Sequence, residues 1–333
     1  MGRAIQTAIA AAFALATLLC SGAGATVVTF EIPGARVVTS VAMNDKGQVT
    51  GSYLDSSAYH GFLWHPDGAF VTFDVTGARQ TVPVAISASG VITGYYYLNN
   101  VAAGFIRAAD GSISTFTVPN GQGGTAPLGA NRQGWIVGVY GRARGRIPHP
   151  FLRDPSGETV EFKVRNFLGG ATAVAVNRSQ TIAGVAFAQT QYHPSGFVRT
   201  ADGHITLFGP SYAASVTGIN DDGTIVGWGT LNDDQQVGFV RTSDGTLTTF
   251  AAPNGSTQMS ATGINNAGTI AGSFEDNNNP ITHGFIRTAD GTITPFDVEG
   301  SVNTQIFAIN NKGAIAGIYT NADGVIFGFA GTP

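Results

Sequence analysis

The stretch Ser260–Phe274, SATGINNAGTIAGSF, together with His283–Phe296, HGFIRTADGTITPF, decides the fold. It holds four short segments rich in β-branched and aromatic residues, the composition of strands. The tetrad from Asn265 to Gly268 separates the first two segments, and Asp290-Gly291 separates the last two. Asn-x-x-Gly fits a tight hairpin, in which Asn bonds its own backbone and Gly takes the left-handed position. Asp-Gly marks a second tight turn. Segments one and two therefore pair, and so do three and four; we call them A to D from the channel outward.

Working outward, the same phrase recurs seven times at a period of about 42 to 46 residues and covers nearly everything after residue 26. The C-segment aromatic recurs at Phe62, Phe105, Phe151, Phe197, Phe239, Phe285 and Phe329, and the D-segment aromatic at Phe30, Phe73, Phe116, Phe162, Phe208, Phe250 and Phe296. A fixed period of that length built from short strands predicts an all-β chain, a seven-bladed β-propeller of four-stranded antiparallel blades. A D-type segment opens the repeats near Thr26 and a C-type segment ends them near Ala330. The first strand is thus expected to complete the last blade and close the ring, which removes free sheet edges. Gly51, Gly94, Gly138, Gly184, Gly227, Gly272 and Gly317 follow the start of each B segment and predict close backbone approach. Repeat four lacks the turn Gly, and repeat two has Ser87 in place of the turn Asn.

The phrase resembles the bacterial extracellular HAF-repeat family, named for a His-Ala-Phe motif written here as His60-Gly61-Phe62 and His283-Gly284-Phe285. The Ile-Asn-x-x-Gly-x-Ile-x-Gly core is intact, and the resemblance covers essentially residues 26–333. It implies a secreted repeat protein and brings no catalytic residue, substrate or cofactor. His149-Pro150-Phe151 departs from the motif, and repeats two, four, five and seven lack the His.

Arg3, an apolar stretch from about Ala8 to Leu19, and Ala23-Gly24-Ala25 read as a signal peptide spanning 1–25 and cleaved after Ala25. A lipoprotein anchor at Cys20 is the rival reading, weakened by the bulky Leu19 before it. The apolar stretch is shorter than the roughly 20 residues that span a bilayer. Residues 26–333 then form one domain, secreted or periplasmic, with no membrane span. Cleavage removes the chain's single Cys and takes the formal net charge from −4 to about −5. That leaves no disulfide or thiol, and a basic field for nucleic acid is absent. A monomer is expected.

Propeller ligands sit at a channel mouth, and variation here concentrates in the B-to-C loops opposite the uniform tight turns, where specificity is normally placed. The predicted A strands contain no Asp, Glu, Lys, Arg or His, so the channel wall reads as chemically bland. The acids beside tight turns, Asp45 and Asp221 among them, read as turn formers. Arg107, Arg153, Arg199, Arg241 and Arg287 share one register; Asp lies three residues later at 110, 202, 244 and 290, and local Arg–Asp pairing is expected. His60, His149 and His283 read as structural hydrogen-bonding groups.

The loop candidates for ligand binding are Arg142, Arg144 and Arg146, which suit an anionic partner, Tyr192 and His193, and the acidic pairs Asp233-Asp234 and Glu275-Asp276. The acidic and amide loops around the last two could also supply oxygen ligands to Ca²⁺, although their spacing matches no EF-hand. The leading expectation is a non-catalytic module that binds a protein or glycan partner. The alternative is a carbohydrate-active hydrolase or lyase built on Asp55, Asp233, Asp234, Glu275 and Asp276, which requires two carboxylates to converge on one bond.

Overall fold

The structure is a computed structural model that describes residues 26–142, 147–165, 167–188, 194–209, 213–231, 235–277 and 279–333. The proposed signal segment lies outside the described residues. Apart from a short 3₁₀ turn at Pro253–Gly255, the described elements are strands. Each repeat forms an antiparallel A-B-C-D sheet. In repeat six the strands are Gln258–Ile264, Ile270–Glu275, Thr282–Arg287 and Ile293–Phe296. A single parallel bridge, Tyr59 to Gln80, joins the sheets of repeats one and two. The strand Thr26–Glu31 pairs antiparallel with Ile326–Thr332, from Thr26 opposite Thr332 to Glu31 opposite Phe327. Such four-stranded sheets are the blades of a β-propeller.

The hairpins form as their residues dictate. Gly47, Gly134, Gly223, Gly268 and Gly313 have φ between 78° and 88°, a region costly for residues with a Cβ. In repeat four Gln180 takes that place at φ 61°. The Asn of each turn does two jobs. Its Oδ1 accepts the N–H groups two and four residues on, as from Ala267 (3.0 Å) and Thr269 (2.9 Å) to Asn265, and at Asn220 the one four residues on, from Thr224 (2.9 Å). Its Nδ2 donates to a backbone carbonyl of the next repeat: Asn44 to Ser87, Asn131 to Asn177, Asn177 to Asn220, Asn220 to Asn265, Asn265 to Asn310 and Asn310 to Asn44. Asn44, Asn177, Asn220, Asn265 and Asn310 are only 4–5% exposed, so these amides have left water and depend on those bonds. Ser87 has no amide, and the link from repeat two to repeat three is missing.

Farther out, the two Phe series meet between adjacent sheets. The seven C-strand rings are fully buried. Phe105, Phe197, Phe239 and Phe285 meet the D-strand rings Phe73, Phe162, Phe208 and Phe250 of the preceding repeat edge-on at 5.9–6.2 Å, a favoured quadrupole geometry. A Cβ on Gly94, Gly184, Gly227 or Gly272 would overlap both an A-strand carbonyl oxygen and the C-strand Phe ring, which is why the B strand carries Gly there.

Of the five registered Arg, the four with an Asp three residues later do not pair with it. Among the described residues no ion pair joins them. Instead each guanidinium lies over the D-strand Phe of the preceding repeat, 4.6–5.2 Å from the ring centroid. The Asp carboxylates are taken by their own turns: Asp244 accepts the Thr242 hydroxyl at 2.5 Å and the Thr246 N–H at 2.9 Å.

Two substitutions test the amide links. Asn265→Ala is expected to lower stability by roughly 1–3 kcal/mol, because it strands buried donors and acceptors. Ser87→Asn, which supplies the missing amide opposite Asn131, is expected to raise it by about 1 kcal/mol. Urea unfolding midpoints check both, and a neutral effect of Asn265→Ala would refute the reading.

Candidate functional site

On the B-to-C loop face, the A and B strands of repeats five, six and seven diverge around an open cavity of about 350 Å³. Repeat five contributes Trp228 from Ile225–Thr230 and Gln236 from the start of Gln236–Arg241. Repeat six contributes Gln258 to Ser260, Thr262, Ser273 to Glu275 and Thr282, and repeat seven contributes Gln305 to Phe307 from Ser301–Ile309. The A strands bulge here: Thr262 and Phe307 are the extra residues between the paired positions 261 and 263, and 306 and 308. A bulge re-aims a side chain, and it brings Phe307 into the cavity lining.

The deeper polar groups are committed to the scaffold. The Thr262 hydroxyl donates to Ile306 O (2.9 Å) and Ala271 O (3.1 Å). Ser273 Oγ accepts Ile306 N–H at 3.0 Å, and Gln236 Oε1 accepts Met259 N–H at 3.1 Å. The rim is fixed as well. The Ser256 hydroxyl donates to Glu275 O at 2.5 Å, and Asn277 accepts Thr257 N–H and donates to Gly255 O. Gln258, Gln305, the Glu275 carboxylate and the Trp228 indole N–H make no side-chain hydrogen bond among the described residues. The cavity therefore combines three aromatic side chains, Trp228, Phe307 and the buried Phe274, with two free amides and one carboxylate.

The loop candidates do not assemble into one site. Glu275 lines this cavity. Asp276, next in sequence, turns to His283 Nε2 at 3.5 Å. Arg142 belongs to repeat three, where its guanidinium is 3.8 Å from Glu161, whose carboxylate also accepts the Tyr140 hydroxyl (2.6 Å) and the Asn120 amide (2.9 Å). Arg144, Arg146, Tyr192, His193, Asp233 and Asp234 lie outside the described residues. Asp55 is a loop former that accepts Ser57 N–H, the Ser57 hydroxyl and Ala58 N–H at 2.6–3.0 Å, and these donors hold its carboxyl far below the usual range. Asp55 and Asp276 occupy matching places in repeats one and six, each beside the His of its own repeat. No group of three or more His, Cys, Asp or Glu among the described residues is placed to hold a metal ion.

The His residues act within their own repeats. His60 Nδ1 meets Asp74 at 2.8 Å and its Nε2 meets Asp55 at 3.4 Å; His283 repeats this with Asp297 at 2.8 Å. Each ties a B-to-C loop to the end of a D strand. His149 has no carboxylate partner among the described residues and stacks on Tyr140 at 5.2 Å, as His283 stacks on Phe274 at 5.3 Å. Burial pushes the His283 imidazole down, but Asp297 and Asp276 outweigh it and the net direction is up. His149 moves down, through burial and then through Arg142 and Lys163.

No protein-family model matches the chain, and no curated protein matches it. Among solved structures it is similar to a streptogramin B lyase, with TM-score 0.61 and 14% identity over 92% of this chain and 98% of that one. It is similar to a catalytically inactive virginiamycin B lyase from Staphylococcus aureus with quinupristin, with TM-score 0.62 and 16% identity over 93% and 100% of the two chains. It is also similar to the β-propeller domain of the Trilobed protease from Pyrococcus furiosus, with TM-score 0.63 and 12% identity over 89% and 94%. Likeness at these identities shows the propeller fold alone.

The two His environments predict opposite titrations. His283 is expected to titrate above 6.5 and His149 below it, read from imidazole resonances across pH 5–9. Because the folded pKa of His283 is raised, its clamp contributes fully below about 6.5 and is lost as pH rises through the folded value. The reverse order of the two titrations would contradict the geometry.

Proposed function

We propose that the chain is an exported, monomeric, closed seven-bladed propeller of the HAF-repeat type, freed of residues 1–25, that binds a neutral glycan without turning it over. Pairing of Thr26–Glu31 with Ile326–Thr332 and the bond from Asn310 to Asn44 support closure. The observation that carries the function is the cavity of repeats five to seven. Sugar rings present apolar C–H faces that stack on aromatic side chains and hydroxyls that bond to amides. Trp228 and Phe307 offer the first, and Gln258 and Gln305 the second.

Glycoside hydrolysis in its usual form needs two facing carboxylates, and Glu275 is the one carboxylate among the described lining residues. Asp55 and Asp276, the other described acids of the enzyme reading, are engaged with His60 and His283. Likeness to a lyase does not carry lyase chemistry, because function lives in sites and not in folds.

Titration calorimetry with neutral oligosaccharides tests this reading. Binding is expected, with Trp228→Ala and Gln258→Ala each weakening it about tenfold or more, about 1.4 kcal/mol per decade. The melting temperature of Gln258→Ala should stay at the parent value. Unaltered binding by both variants, or release of shortened sugar products, would contradict it.

A further inference from the structure

At the opposite end of the channel, on the tight-turn face, lies a second cavity of about 200 Å³. Its floor is an apolar collar that includes Ile86, Ile219, Ile264 and Ile309, and its rim is polar. One register surrounds it, the residue after each hairpin Asn or Ser: Asp45, Ala88, Arg132, Arg178, Asp221, Asn266 and Asn311. Asp45 and Asp221 are more than the turn formers expected from sequence. Along most of the rim, the N–H of one residue is accepted by a side-chain oxygen from the next repeat: Arg178 by Asp221 (3.1 Å), Asp221 by Asn266 (3.0 Å), Asn266 by Asn311 (2.9 Å) and Asn311 by Asp45 (3.0 Å).

The pattern then stops. The N–H groups of Asp45, Ala88 and Arg132 face repeats whose rim residues are Ala88, Arg132 and Arg178, and none of these side chains has an acceptor. Those three N–H groups have no partner among the described residues. Arg132 reaches past Ala88 to Asp45 Oδ2 at 2.5 Å. Both Asp221 oxygens are used, Oδ2 by the Asn266 amide at 2.8 Å. The exposed Arg178 guanidinium has no partner among the described residues. The rest of the rim displays what this position takes: a carboxylate or amide oxygen accepting a turn N–H. In the arc from repeat one to repeat four that oxygen is missing, while an uncommitted guanidinium stands beside it. Free turn N–H groups on neighbouring repeats, with an Arg fork on the same cavity, are the donors that an oxyanion takes.

We propose that this arc is an oxyanion site for a small phosphate- or carboxylate-bearing ligand, held by the N–H groups of Ala88 and Arg132 and by the Arg178 guanidinium. It is separate from the glycan cavity and does not rest on that reading. The Asn ring and the collar keep it shallow, so it fits the end group of a ligand and not a polymer threaded through the channel.

The test titrates the protein with inorganic phosphate and, separately, with succinate, at ionic strength held constant with chloride, reading the Ala88 and Arg132 amide resonances and the melting temperature. A saturable shift and a raised melting temperature with either anion are expected; the stronger responder identifies the source chemistry. Arg178→Ala, which retains its N–H bond to Asp221, should weaken the response tenfold or more. Arg178→Asp, which places a carboxylate opposite the Arg132 N–H as Asp221 stands opposite that of Arg178, should raise the melting temperature without ligand and abolish the response. If Arg178→Asp does not fold, the Arg178→Ala arm decides alone. Amide shifts that follow ionic strength with chloride as well, or a phosphate response untouched by Arg178→Ala, would overturn the proposal.

Discussion

The side chain of the hairpin Asn is the constraint on which the rest depends. One oxygen organises the turn within its own repeat, and one amide nitrogen ties that turn to the carbonyl of the next. Local folding and the arrangement of repeats are thereby set by the same carboxamide. Each buried amide bond is worth only about 1 kcal/mol net, but leaving its partners unmade costs more, so misplacing a blade by one register is penalised at every link. The Phe and Arg layers then fill the wedge that opens between sheets farther from the channel. Arg241, with its Nε buried and unpaired, accepts that position because the Phe208 ring faces its guanidinium and the Thr242 carbonyl takes Nη1 at 3.2 Å.

The same scaffold gives its two mouths different chemistry. On the loop face, the bulge at Thr262 and Phe307 and the long connections let side chains fan outward around a cavity rich in aromatic and amide groups. On the turn face, the chain is too short to vary in shape, and variation is confined to a single rim residue per repeat. That is why the rim reads as a string of donors and acceptors, and why replacing an acceptor with Ala88 or Arg132 changes the chemistry of an arc and leaves the fold alone. Asp45 shows the balance at such a position: burial raises its carboxyl, yet the Arg132 guanidinium and the Asn311 N–H bring it below the usual range.

Much of the fold was legible because its signals are local. Asn-x-x-Gly and Asp-Gly specify turns, and the Phe and Gly registers report burial and close approach, all within one repeat. What could not be read are the contacts made between repeats. Arg and Asp three residues apart suggest a pair, but the sequence does not reveal that Asp244 is already saturated by its own turn or that Phe208 waits across the seam. For the same reason Asn read as a turn former and its amide went unassigned. The site was harder still. Glu275 stood out as a charged loop residue, whereas Gln258, Gln305 and Phe307 lie on A strands that looked inert because they carry no charge. Phe307 did leave a trace, an aromatic where other repeats place Val84, Leu128, Val174, Thr217 and Thr262.

Closure of the ring by the first and last strands is the central claim, since the amide belt and both mouths require it. Cysteines at Thr26 and Thr332, which face each other across the pairing of Thr26–Glu31 with Ile326–Thr332, test it directly in a chain whose single Cys20 is replaced by Ser. Paired antiparallel residues stand about 4.5–5.5 Å apart at Cα, within disulfide reach. The account predicts that Thr26→Cys/Thr332→Cys cross-links internally on mild oxidation of the folded protein, with no free thiol left. Two thiols that stay free in the folded protein, or that link only between molecules, would contradict it.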